Sequence, residues 1–207
     1  MGLIKGKTTE IGGNGEANPE RNCEQLAAAL ENAEAAVRRR AAREIGGCLD
    51  AATVLVNRLK REQDAAVREA ILNTLLRLND RAVSSALADC LRSEDAALRN
   101  AAIETMKRLG GEVAPLLRSL LADPDPDVRI FVVNILDSER HPEVESLLIE
   151  VIERDAHVNV CATAVDLLCE VGTKAAIEPL IRLKARFACE SYIQFAAGLA
   201  LKRIGEI

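Results

Sequence analysis

The residues with the clearest capacity for chemistry sit late in the chain. His157 and Cys161 stand four apart, and Cys169 follows eight residues on. Positions four apart share a helix face, so this is the spacing of a Cys–His nucleophile or of two metal ligands. The neighbouring sequence completes neither. A zinc site needs three or four ligands, and the only other histidine is His141. The six cysteines (Cys23, Cys48, Cys90, Cys161, Cys169 and Cys189) form no CxxC pair. The chain therefore reads as non-enzymatic, with no catalytic residue, metal or cofactor, and with cysteines that serve mostly as small buried hydrophobes.

A second set of chemically competent side chains recurs along the chain. Glu34, Asp64, Asp95, Asp125, His157 and Glu190 each lie four residues before Arg38, Arg68, Arg99, Arg129, Cys161 and Gln194. In the middle copies, Asp64/Arg68, Asp95/Arg99 and Asp125/Arg129, acid and arginine are both present. An acid placed before a helix accepts hydrogen bonds from the orphan N–H groups of its first turn, worth about 1 kcal/mol. The arginine is expected to reach the acid of the adjacent layer, a contribution of about 0–1 kcal/mol per exposed pair. Because the pair returns at the same place in successive copies, it reads as a structural ladder rather than a ligand groove.

The elements that position these residues follow from one period. Between each acid and arginine lies an apolar anchor: Val37, Val67, Leu98, Val128, Val160 and Ile193, spaced 30, 31, 30, 32 and 33. Four residues beyond come Ala41, Ile71, Ala102, Val132, Ala164 and Ala197; eight beyond come Ile45, Leu75, Met106, Leu136, Leu168 and Leu201. Eleven beyond, the pattern continues at Cys48, Leu78, Leu109, Val171 and Ile204 and fails at Glu139. Offsets of 0, 4, 8 and 11 make one face of a helix. Asn79, Gly110, Gly172 and Gly205 follow, residue types that tolerate the left-handed conformation closing a helix. A first helix precedes each anchor, over roughly 23–31, 52–60, 81–91, 113–121, 143–153 and 175–185. Pro115 and Pro142 lie near first-helix starts, where a missing N–H costs little, and Pro179 repeats Pro115 two copies on.

Composition agrees. With 49% hydrophobic and 2% aromatic residues, the core must be built from Ala, Leu, Ile and Val, which suits close helix packing. A net charge of −5 with mixed signs offers no phosphate-neutralising surface, and the longest basic run, Arg38-Arg39-Arg40, reads as a helix flank. No run of about 18 apolar residues exists to cross a membrane. Met1-Gly2 is followed by Gly6 where a myristoylation signal needs Ser or Thr, and the N-terminus lacks the apolar stretch of a signal peptide. These features point to a cytoplasmic protein. Residues 1–21, rich in Gly and polar types, read as a flexible tail, followed by repeats over about 22–50, 51–79, 80–110, 111–139, 140–172 and 173–207.

Asp-x-x-Val-Arg followed by small residues and a closing Gly, with Val113-Ala-Pro115-Leu-Leu-Arg118 and Ile177-Glu-Pro179-Leu-Ile-Arg182 in first helices, resembles the HEAT repeat, in particular the short bacterial type also seen in phycobilin lyases. The resemblance covers about residues 22–205. It implies an all-α fold, an α-solenoid of about six antiparallel helix pairs stacked as a right-handed superhelix, with second helices on the concave face. It also implies protein–protein binding as the usual role: a scaffold or adaptor in bacterial signalling or complex assembly, itself a monomer, with no nucleic acid and no membrane insertion. Phycobilin-lyase-like chromophore attachment, or a chaperone subunit, is the alternative. Deoxyhypusine hydroxylase, a HEAT protein that holds iron with His-Glu pairs, is set aside because Pro142 follows His141 and Val158 follows His157.

On such a solenoid the concave positions fall at offsets 2, 6 and 9 or 10 from each anchor: Arg39, Arg43, Glu69, Asn73, Arg77, Asn100, Glu104, Lys107, Arg108, Ile130 and Asn134, with Asp166, Cys169, Glu170, Phe195, Leu199 and Lys202 toward the end. The partner is expected on the stretch from Glu69 to Asn134. Phe187, Tyr192 and Phe195 cluster in the last copy, either closing the terminal core or making an aromatic contact site.

Overall fold

The computed structural model describes residues 19–78, 81–136 and 143–206. Within them the chain forms twelve α-helices: α1 (Pro19–Ala29), α2 (Ala35–Glu44), α3 (Ala51–Leu59), α4 (Ala65–Leu78), α5 (Arg81–Cys90), α6 (Ala96–Leu109), α7 (Ala114–Leu120), α8 (Pro126–Leu136), α9 (Val144–Arg154), α10 (Val158–Val171), α11 (Ile177–Arg186) and α12 (Ser191–Gly205). Short 3₁₀ turns at Ile45–Gly47, Gly110–Val113 and Lys174–Ala176 link successive pairs. α1 begins inside the stretch expected to be a tail; residues 1–18, and His141 and Pro142, lie outside the described residues.

The helices make two rows. Second helices contact second helices in the order α2, α4, α6, α8, α10, α12, while α3 meets α5 and α9 meets α11 in the first row. This is a helical solenoid of six antiparallel pairs, in which each layer is covered by its neighbours. The anchor face explains the register. Val67, Val128, Val160 and Ile193 are fully buried, as are Ile71, Ala102, Val132, Ala164 and Ala197 four residues on and Leu75, Met106 and Leu168 eight on. The pattern weakens at the ends of the second helices, where Val171 is 44% exposed and Leu201 only partly covered.

Gly110 closes α6 with φ of 62° and ψ of −146°, a positive-φ conformation open to glycine but not the left-handed helical cap expected there. Gly172 differs: its φ is −67°. A Cβ there would fall 2.4 Å from the Leu168 carbonyl oxygen and 2.9 Å from Ile204 Cδ1. Glycine is required at 172 by close approach rather than by backbone sign. Pro115 occupies the first turn of α7, and Pro179 lies buried in that of α11.

The cysteines depart from expectation. Cys90 and Cys161 are buried as small hydrophobes, but Cys169 is half-buried and Cys189 exposed. Cys23 on α1 and Cys48 beyond α2 form a disulfide with Cα atoms 5.7 Å apart. The crosslink ties the first described helix to the turn that follows the second. Disulfides persist mainly in oxidising compartments.

Candidate partner-binding face

Two rows of charge run along the molecule, and the first caps helices and links layers. In the middle copies the acid caps as expected: Asp64 Oδ1 accepts from the N–H groups of Ala66 and Val67 at 2.9 and 3.0 Å. Asp95 Oδ1 accepts from Ala97 and Leu98 at 2.9 and 3.3 Å, and Asp125 accepts from Asp127 at 2.9 Å. Glu34, His157 and Glu190 make no such side-chain cap. The longer glutamate and the imidazole do not reproduce the short Asp geometry.

A further polar residue lies two positions before each of the first five caps. Asn32, Glu62, Ser93, Asp123 and Asp155 each accept from the N–H of the capping residue, at 2.8, 2.9, 3.2, 3.0 and 2.8 Å. Their spacing follows the repeat period and is visible in the sequence once the cap row is drawn. Three of these residues, Glu62, Asp123 and Asp155, receive Arg38, Arg58, Arg92 and Arg129, whereas among the described caps only Asp95 receives an arginine. Glu62 is the centre of the largest cluster. Its side chain is fully buried, with Arg38 Nε at 2.8 Å and Arg58 Nη2 at 2.7 Å. Burial alone would raise the Glu62 carboxyl, but hydrogen bonds from Arg38, the Asp64 N–H and Arg58 outweigh it and hold the group at about 2. Asp155 receives Arg129 at 2.7 and 3.0 Å, and this pairing likewise outweighs its burial and lowers its pKa. Asp123 receives Arg92.

The expected pairing of each ladder arginine with the next cap acid is therefore met only at Arg68, which bridges to Asp95. Arg99 reaches no acid among the described residues; it donates to the Ser93 carbonyl at 2.7 Å and lies 5.3 Å from the centre of the Phe131 ring. The common duty of the arginine is local. Arg38, Arg99 and Arg129 donate to the carbonyls of Asn32, Ser93 and Asp123 at 2.9, 2.7 and 2.7 Å, and Arg68 to that of Glu62 at 2.6 Å.

The fifth copy shows how this duty is kept without the arginine. Cys161 Sγ donates to the Asp155 carbonyl at 3.3 Å, and Arg186, from α11 of the next layer, donates to the carbonyls of Ile152, Glu153 and Asp155 and to Cys161 Sγ. Burial pushes the Cys161 thiol up, the direction opposite to nucleophile activation. His157 Nδ1 is buried without a hydrogen-bond partner among the described residues. Among the described residues no three His, Cys, Asp or Glu side chains are placed to hold a metal ion.

The second row lies on the solvent side of the second helices, where the expected partner-binding residues are. Most of them line two of the hollows on this face. The first, of about 590 Å³, spans α2, α4 and α6 and is lined by Arg39, Arg43, Glu69, Asn73, Arg77 and Arg108. Arg77 donates to the Arg43 carbonyl at 3.1 Å and Arg108 to Asn73 Oδ1 at 3.2 Å. The second, of about 410 Å³, spans α6, α8 and α10 and carries Glu104, Lys107 and Asn134 with Asp166 and Glu170. Lys107 pairs with Glu104 at 3.4 Å. Asn100 is exposed but lines neither hollow. Ile130 is half-buried and packs against the core, so only part of its side chain reaches the solvent face. Past the second hollow, Tyr192, Phe195 and Leu199 are 54, 68 and 50% exposed on α12, spaced to share one face. The Tyr192 hydroxyl donates to Asp166 at 2.9 Å. Exposure on this scale excludes Tyr192 and Phe195 from closing the terminal core; half-buried Phe187 packs against that core, beneath Arg186.

Comparison with known families places the chain. The model for HEAT repeats matches residues 23–107, 52–133 and 90–157 in overlapping copies, so the chain belongs to the HEAT-repeat family. Among solved structures it is similar to an archaeal HEAT-like repeat protein from Thermococcus onnurineus NA1, with 16% identity, 90% of this chain and 88% of the other covered, and a TM-score of 0.49. An engineered protein is similar at 17% identity, 89 and 97% coverage and a TM-score of 0.40. The complex of CpcE and CpcF of phycocyanin lyase from Nostoc sp. PCC7120 is similar at 16% identity, 98 and 100% coverage and a TM-score of 0.36. No protein of curated function matches.

Proposed function

We propose that this helical-repeat scaffold is a non-enzymatic protein-binding module that receives a partner protein on the solvent face of its second helices. HEAT-repeat proteins commonly bind other proteins, and the observation that supports this reading here is the pair of open hollows, each reaching across three layers. A surface that long and shallow suits a helix, loop or domain; small-substrate catalysis favours a deep, largely apolar pocket. No helix among the described residues is long and apolar enough to cross a membrane.

The test is affinity capture with the purified chain, compared with the double charge reversal Glu104→Lys, Lys107→Glu. Both side chains line the second hollow and lie outside the ladder, so folding is expected to persist. A stoichiometric protein partner, retained by the parent and weakened at least tenfold by the reversal, supports the reading. Covalent uptake of a bilin, or a partner held equally by parent and reversal, overturns it.

A further inference from the structure

Among the described residues, most arginines outside this face meet a carboxylate. Arg38, Arg40, Arg58, Arg61, Arg68 and Arg92 all form ion pairs, as do Arg118, Arg129, Arg154 and Arg182. The first hollow breaks this habit. Arg39, Arg43, Arg77 and Arg108 line it together, and among the described residues none is within ion-pair distance of an acid. Arg39 and Arg43 sit four apart on α2 and make no side-chain hydrogen bond among the described residues. Glu69 is the one carboxylate in the lining, leaving a formal surplus of three positive charges (four arginines less one glutamate) in a concavity on a chain of net charge −5.

From this we infer that the first hollow is a recognition site for an acid-rich segment of a partner protein, its carboxylates taken by the guanidiniums of Arg39, Arg43, Arg77 and Arg108. The inference rests on the protein-binding reading and deepens it. Guanidinium forks match carboxylate geometry and are less strongly hydrated than ammonium groups, so they suit such pairing. The neighbouring hollow distinguishes a protein segment from a polynucleotide. Centred two layers further on, roughly 20 Å at 8–10 Å per layer, it holds Glu104, Asp166 and Glu170 against the single base Lys107. A phosphate backbone laid along the face would run from attraction into repulsion. A protein segment can change sign along its length, and a helix of about 13 residues spans the two hollows.

The experiment uses the full chain and a fluorescein-labelled deca-glutamate peptide, read by fluorescence anisotropy at low salt, beside labelled deca-lysine and a single-stranded deca-thymidylate. Deca-glutamate is expected to bind more tightly than the other two and to lose at least tenfold in affinity in the Arg39→Glu, Arg43→Glu variant. It is expected to lose less than twofold in Arg118→Glu, Arg154→Glu, whose changes lie at the paired arginines of layers four and five. The conservative Arg39→Gln, Arg43→Gln variant, with folding checked by circular dichroism, is expected to show a smaller loss in the same direction. Failure of deca-glutamate to bind, equal loss at the remote arginines, or tighter binding of deca-thymidylate overturns the inference. The protein-binding reading stands separately if a captured partner still depends on Glu104 and Lys107 while deca-glutamate fails. It falls alone if deca-glutamate binds but no protein partner depends on this face.

Discussion

The loop-side ladder and the second-helix face contain the same residue types, yet their arginines live in opposite circumstances. Arg38, Arg58 and Arg129 are nearly covered and locked to buried carboxylates, whereas Arg39 and Arg43, on the same helix as Arg38, are exposed and unpaired among the described residues. One residue along α2 turns a side chain by about 100°, and that rotation separates a layer-holding charge from an available one. The contrast teaches that charge in a solenoid is assigned by helix face before it is assigned by residue type.

Removing the hub of the ladder is the largest perturbation. Glu62→Ala leaves Arg38 and Arg58 facing each other without their shared acid and orphans the N–H of Asp64. Loss of one member of a buried ion cluster costs about 3–5 kcal/mol, and urea unfolding should show a drop of that order. A smaller loss, near 2 kcal/mol, is expected for Arg186→Ala, since the carbonyls of Ile152, Glu153 and Asp155 then lose a charged donor. Restoring the family arginine by Cys161→Arg in that background should recover part of it, if the two groups do the same job. Gly172→Ala tests close approach: the added methyl meets backbone at Leu168, and overpacking of this kind costs about 1–3 kcal/mol.

Acid should act on the ladder first. The folded-state pKa of Glu62 lies at about 2 against an ordinary 4.5. Its contribution is therefore complete above the ordinary value and is lost as pH falls from there toward 2. Asp155 is shifted in the same direction. Stability measured by thermal melting should decline across that window, and Glu62→Gln should flatten the decline; an unchanged slope would remove Glu62 from the account. The smallest effect belongs to the open face. Arg39→Glu and Arg43→Glu should each change stability by no more than about 0.5 kcal/mol, as surface substitutions do. A cost near that of Glu62→Ala would erase the distinction between the two rows.

Much of this was legible in the linear chain. The apolar anchors gave the second helices to within a turn, because a helix buried by its neighbours must repeat its apolar face at the repeat period. The first helices followed from the space left between them. The cap row at Asp64, Asp95 and Asp125 was legible for the same reason, since an N-terminus needs a short acceptor at a fixed position. Harder to see were the pairings. Glu62, Asp123 and Asp155 share one position of the repeat with Asn32 and Ser93, and nothing in their spacing says that a side chain from the preceding layer reaches them. Ile130 had the right offset for the outer face but is half covered, because an apolar side chain at the margin of a stripe packs on the nearest core.

What the sequence determined by itself is periodic: the number of helix pairs, the buried face of each second helix and the position of its cap. Periodicity encodes these because each depends on residues within one turn or one repeat. Tertiary structure alone decided which arginines are satisfied. It joined Cys23 to Cys48, lent Arg186 to a layer that lacks its own arginine, and drew Arg39, Arg43, Arg77 and Arg108 around one hollow. Those outcomes depend on distances between layers, and a distance between layers is a property of packed side chains that no spacing along the chain records.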